Sequence, residues 1–137
     1  MRIFNPTILV LVCLVFAACS GGKEQVKKFI DKKDALILDI SKKLEANPTT
    51  AGVDDAQKLV DAQKDSLQAE RQAIFKANVS NDAVLMLTDS DISESKLLQD
   101  IGVKLTMSCK DNCDAVRSKF TALQTSFRAA THLQGEV

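Results

Sequence analysis

Two cysteines with three residues between them, in Cys109-Lys110-Asp111-Asn112-Cys113, are the first candidates for chemistry in this 137-residue chain. A thiol pair at that spacing can close a short disulfide loop, switch between oxidised and reduced forms, or join a metal site. The disulfide is the first reading, because the spacing is not Cys-x-x-Cys and no second ligand pair completes a zinc set. The sole histidine, His132, does not help: on a straight helix it stands roughly 28 Å from Cys113. It reads as a cation at the end of the last helix, beside that helix's final carbonyls. Asp89 to Asp100 faintly resembles a calcium loop, but Glu94 fills the sixth position, where the sharp turn calls for Gly. The acidic cluster therefore reads as a solvated helix start. There is no Gly-rich phosphate cradle and no assembled nucleophile, base and oxyanion partner. The expectation is a protein that binds rather than an enzyme, with no metal and no cofactor.

The other two cysteines lie near the N-terminus. Ile8 to Ala18 contains no charged or strongly polar residue, about the length of a signal-peptide apolar region and too short for a good membrane-spanning helix. Two small residues, Ala17 and Ala18, then precede Cys19, and Ser20-Gly21-Gly22 follow. Val15-Phe16-Ala17-Ala18-Cys19 resembles the lipobox of bacterial lipoprotein precursors, with Phe16 where that family usually has Leu. The resemblance covers only this leader. It implies that the Cys19 thiol carries a diacylglyceryl group, that residues 1–18 are a cleaved signal peptide, and that the new amine is acylated. Ser20 after the lipidated cysteine resembles the sorting pattern for the outer membrane. Two or three acyl chains hold a protein to a bilayer as one chain cannot, at ~0.8 kcal/mol per buried methylene. Residues 19–23 then read as a short flexible tether, and residues 24–137 as one folded domain. Cys13 leaves with the leader and Cys19 is acylated, so Cys109 and Cys113 are the thiols that remain, in a compartment that favours their oxidation.

Composition narrows the partners. The chain has 18 basic and 18 acidic side chains, and Arg2 is the only charged residue before Lys23, so the domain is nearly neutral and carries no electrostatic footprint for nucleic acid. It has no Trp and no Tyr, which leaves base-stacking platforms and aromatic cages poorly supplied.

The elements that must position these residues are helices. From Glu24 to Ala46, Val26, Ile30, Ile37, Ile40 and Leu44 follow the spacing of one helical face, interrupted by Lys33. Asn47-Pro48 and the following Gly52 stop that helix. A second is expected from about Val53, with Asp54 and Asp55 in its first turn and a row of Val53, Ala56, Val60, Gln63, Leu67, Glu70 and Ile74. Asn78 to Asp82 is a break, Ala83 to Leu87 a short separate helix, and Thr88 to Asp91 a second break. Ser90 or Ser93 then caps a third helix whose apolar face is Leu97, Leu98, Ile101 and Leu105, weakened by Gly102. After Cys113, Val116, Phe120, Leu123, Phe127 and Ala130 mark a fourth helix ending near Gly135. The fold class expected is all-α, a four-helix bundle of two antiparallel helical hairpins in up-down-up-down order, the first hairpin being the longer.

In Ala35-Leu36-Ile37-Leu38-Asp39-Ile40 the first helix is apolar almost all round, since Leu36 and Leu38 sit about 200° apart on a helical wheel. Either Val84 to Leu87 folds over this waist, or it is left open for a partner. Leu36, Leu38 and Leu85 are the candidate contact residues. Lys33, Gln63 and Glu70 read as register-setting polar positions on apolar rows. The function expected is that of a lipid-anchored envelope protein, a helical binding or adaptor module meeting an envelope protein partner. A carrier of a small apolar ligand, and an exclusion or immunity lipoprotein of a plasmid or phage, are the alternatives.

Overall fold

A computed structural model describes residues 21–133. The leader, Cys19 and Gly135 lie outside the described residues. Among the described residues four helices form an all-α bundle: α1 (Lys23–Ala46), α2 (Thr50–Lys76), α3 (Asn81–Ser108) and α4 (Cys113–Thr131). α1 and α2 form one antiparallel hairpin and α3 and α4 the other. α1 packs against α2 and α3, and α4 packs against the same two, so α2 and α3 lie across the diagonal. Lys23 and Lys33 of α1 meet Asp82 and Asp91 of α3, and Lys119 and Ala129 of α4 bond Asp54 and Gln68 of α2. Chain numbers rise together in both cases, so α1 runs parallel to α3 and α2 parallel to α4.

The core is the apolar face of each helix: Val26, Phe29, Leu36, Ile37, Ile40 and Leu44 from α1; Val53, Ala56, Val60, Leu67 and Ile74 from α2; Leu98, Ile101 and Leu105 from α3; Val116, Phe120, Leu123, Phe127 and Ala130 from α4. Each fully buried Leu, Val or Phe contributes roughly 1.5–3 kcal/mol relative to exposure.

Three boundaries differ from expectation. α2 begins at Thr50, before Val53, because the Thr49 hydroxyl accepts the Gly52 N–H at 3.4 Å and caps it. α3 is continuous from Asn81, so the short helix and its successor are one element capped by Ser80, which accepts the Ala83 N–H at 3.3 Å. Thr88-Asp89-Ser90-Asp91 does not break it. Thr88 bonds back to the Val84 carbonyl at 3.0 Å, Asp91 finds partners on other helices, and the propensity deficit of such residues is only a few tenths of a kcal/mol each. α4 ends at Thr131, not near Gly135. The first hairpin, with helices of 24 and 27 residues, is the longer in total, although α3 with 28 residues is the longest single helix and α4 has only 19.

Gly102 sits where α4 presses on α3. A Cβ there would lie 2.7 Å from Cε1 of Phe120, so the residue that weakens the helix permits the close approach of its neighbour.

Candidate functional site: an outward apolar face and a buried ion cluster

The outer side of α3 carries Leu85, Ile92, Val103 and Met107, which fall on one helical stripe at about 100° per residue. Their exposures are 60, 65, 54 and 81%. α3 contributes Leu98, Ile101 and Leu105 to the core on its opposite side, so this helix is apolar on both faces. Beside the stripe, Leu97 of α3 and Leu38 of α1 meet across a surface groove of about 620 Å³ floored by Ile37 and Ile101. Asp34, Asp100 and Lys104 form its polar rim. Exposed apolar side chains gathered beside such a groove are what a protein surface shows where it meets something else.

The three candidate contact residues separate. Leu36 is 1% exposed, so it belongs to the interior and not to a contact face. Leu38 lies in the groove and Leu85 on the outward stripe, and the two are not together: Leu85 is about 18 Å along α3 from Leu97, at 1.5 Å per residue. The waist of α1 is covered by Leu97 to Leu105 rather than by Val84 to Leu87, because α3 starts level with α1 and runs alongside it. Leu97, expected on the core face, is 46% exposed. Val103 and Met107 fall within the expected third helix on the side away from its apolar face, and reading Thr88 to Asp91 as a break hides that Leu85 and Ile92 continue their row.

The second arrangement is polar and internal. Lys33 is fully buried, with Nζ 2.5 Å from Asp91 Oδ1, 2.8 Å from Glu94 Oε2 and 5.4 Å from the centre of the Phe29 ring. Arg71 of α2, also buried, places Nη2 3.3 Å from Asp91 Oδ2. The Thr131 hydroxyl donates to the Phe127 carbonyl at 3.0 Å, so its oxygen is free to accept Nδ1–H of His132, also at 3.0 Å. This turns His132 Nε2 toward Asp91 Oδ2, 3.6 Å away. Four helices thus converge on two carboxylates. Burial raises the Glu94 pKa above the usual carboxylate range, opposed chiefly by the charge of Lys33.

This cluster corrects two expectations. Asp91 and Glu94 are not a solvated helix start, and no calcium loop exists where α3 is continuous. On α2 the buried polar residue is Arg71, not Glu70, whose carboxylate pairs with Lys32 near the surface. Lys33 alone was legible as a polar interruption of an apolar row. His132 does end its helix, but it also reaches a carboxylate that the sequence places 41 residues away.

Cys109 and Cys113 lie at disulfide distance, with Cα atoms 5.7 Å apart. Asn112 between them adopts a left-handed conformation, which Asn tolerates. Among the described residues no group of three His, Cys, Asp or Glu side chains is placed to hold a metal ion, and no helix is long and apolar enough to cross a membrane.

Comparison with known proteins identifies no relative: no protein-family model, curated protein or solved structure matches the chain.

Proposed function

We propose that this protein is a lipid-anchored component of a bacterial cell envelope, carried by acylation of Cys19 in the outer membrane, whose helical domain acts by binding a protein partner. The observation that supports it most directly is the outward row of Leu85, Ile92, Val103 and Met107 with the adjoining Leu38–Leu97 groove. A domain that already has a full apolar core gains nothing in stability from leaving these side chains in water. Held at a membrane, even a modest interface is populated, because anchoring raises the effective concentration of any partner in the same membrane. In this reading the Cys109–Cys113 pair is oxidised and staples the α3–α4 turn.

The test uses the intact protein in its envelope. Leu38→Asp leaves helicity and the unfolding midpoint unchanged within about 0.5 kcal/mol, as expected of an exposed site. Crosslinking and co-purification from membranes then lose a specific envelope protein that the unaltered chain captures. Unchanged capture by both Leu38→Asp and Ile92→Asp removes the binding role from this face. Intact mass of the protein from its host reports the anchor separately.

A further inference from the structure

Gly21 and Gly22, expected as flexible tether, are packed against the turn that joins α2 to α3. The Ser80 N–H donates to the Gly21 carbonyl at 2.8 Å, and the Val26 N–H bonds the Gly22 carbonyl at 3.0 Å. Both glycines have positive φ, 59° and 80°, and a Cβ on Gly22 would collide with the side chain of Val79. Lys23 bonds Asp82 at 2.9 Å across the same corner. Chain direction at this corner is therefore set by packing. Cys19 is two residues before Gly21, a reach of about 7 Å at full extension.

The same end of the bundle exposes apolar side chains. Phe75, in the last turn of α2, is 70% exposed, and Val84 and Leu85 at the start of α3 are 48 and 60% exposed. α4 stops at Thr131, level with Lys33 and Arg71, so a groove of about 320 Å³ lined by Ile74, Phe75, Val79, Val84 and Leu87 opens between α2 and α3. Lys27, Lys28 and Lys76 are exposed around this end, against Glu24 and Asp82.

We infer that this end is a membrane seat: Phe75, with Val84 and Leu85 beside it, enters the interfacial region of the phospholipid surface to which Cys19 is tied. The inference rests on the lipid-anchor reading and adds an orientation to it. An acylated Cys19 holds the Gly21 corner within one or two residues of the glycerol backbone, where an exposed ring is drawn into the apolar boundary and lysines meet anionic headgroups. The bundle then stands on the bilayer, with the α1–α2 turn and the Cys109–Cys113 loop roughly 35–40 Å away along the helices. The outer face of α3 from Ile92 to Met107 is presented sideways, open to a partner in the same membrane.

The absence of Trp from the sequence provides a clean probe. Phe75→Trp, Leu85→Trp and Met107→Trp are made separately in the full-length chain, expressed in a Gram-negative host, checked by intact mass and reconstituted into phosphatidylethanolamine–phosphatidylglycerol vesicles with brominated acyl chains. Trp emission at positions 75 and 85 is expected to shift to the blue and fall by at least about twofold relative to unbrominated vesicles, as for an interfacial side chain. At position 107, on the far end of α3, it should not. Acylated protein in which all three positions are quenched equally, or none is, overturns the seat and leaves the anchor intact. A bare residue 19 overturns the anchor reading, and the seat with it.

Discussion

The two ends of the bundle close in opposite ways. At the distal end all four helices meet: α1 finishes, α2 starts behind the Thr49 cap, α3 finishes at Ser108 and α4 starts at Cys113. The layers below are apolar, built from Leu44, Val53, Ala56, Leu105, Val116 and Phe120. At the proximal end only three helices continue, because α4 with 19 residues stops about 10 Å short of its longer neighbours. Where the fourth helix ends, a polar layer of Lys33, Arg71, Asp91, Glu94 and His132 interrupts the interior, and beyond it Val26, Phe29, Ile74, Ala83 and Leu87 make it apolar again. The lesson is that the level where the fourth helix stops is closed by polar side chains that need one another as partners, which ties all four helices there but makes that level intolerant of single changes.

The sharpest way to break the contrast is to remove the buried cation. Lys33→Met should destabilise the domain by about 3–5 kcal/mol, since it leaves Glu94 buried without its charge partner. Adding Glu94→Leu to Lys33→Met should return a large part of that loss, which a double-mutant cycle in urea measures. If Lys33→Met alone costs less than about 1 kcal/mol, on the scale of an exposed ion pair, the proximal level is not the charged interior described here.

With Cys109 and Cys113 oxidised, as proposed, the distal end should answer to that staple instead. Replacing both Cys109 and Cys113 by Ser removes a loop of five residues, worth about 2 kcal/mol in the chain-entropy account. The urea midpoint should fall accordingly, while reduction of the unaltered protein should reproduce the fall.

The smallest effect is on pH dependence, and its sign follows from Glu94. The folded pKa is raised by burial, so the folded state holds this proton more tightly than the unfolded chain. The resulting stabilisation is present below the ordinary Glu range and is lost as pH rises through the raised value. Subtracting the stability curve of Glu94→Gln from that of the unaltered protein should leave a component that falls with increasing pH. A flat difference curve would overturn the raised folded pKa, and a rising one would show that the Lys33 charge outweighs burial at Glu94. The exposed Asp55 and Asp82, held below the usual carboxylate range by Lys58 and Lys23, act in the opposite sense and are common to both proteins.

Much of the helical content was legible because it depends on short-range periodicity. The rows of α1 and α4, Val26 to Leu44 and Val116 to Ala130, could be read directly, and the Asn47-Pro48 stop falls one residue beyond the end of α1. α3 was not legible. Thr88 to Asp91 has the composition of a turn, and only partners on α1, α2 and α4 reveal those residues as helix interior. The candidate site divides in the same way. Leu38 and Leu85 could be nominated from an excess of apolar residues, but Leu36 was indistinguishable from them without knowing which side α3 covers. Lys33 could be read as a polar interruption of an apolar row, but its partners could not, because residues 71, 91, 94 and 132 are scattered along the chain and each alone resembles a surface residue.

Local rules acting over three or four residues determined that this protein is helical, where α1 and α4 run, that a thiol pair sits between two helices, and that the leader resembles a lipobox. Only the tertiary structure decided that α1 lies alongside α3, which charges are buried together, which leucines face water, and that two glycines before α1 are a docked corner. Those outcomes depend on which helix lies beside which, a matter of packing between distant segments that no local spacing encodes.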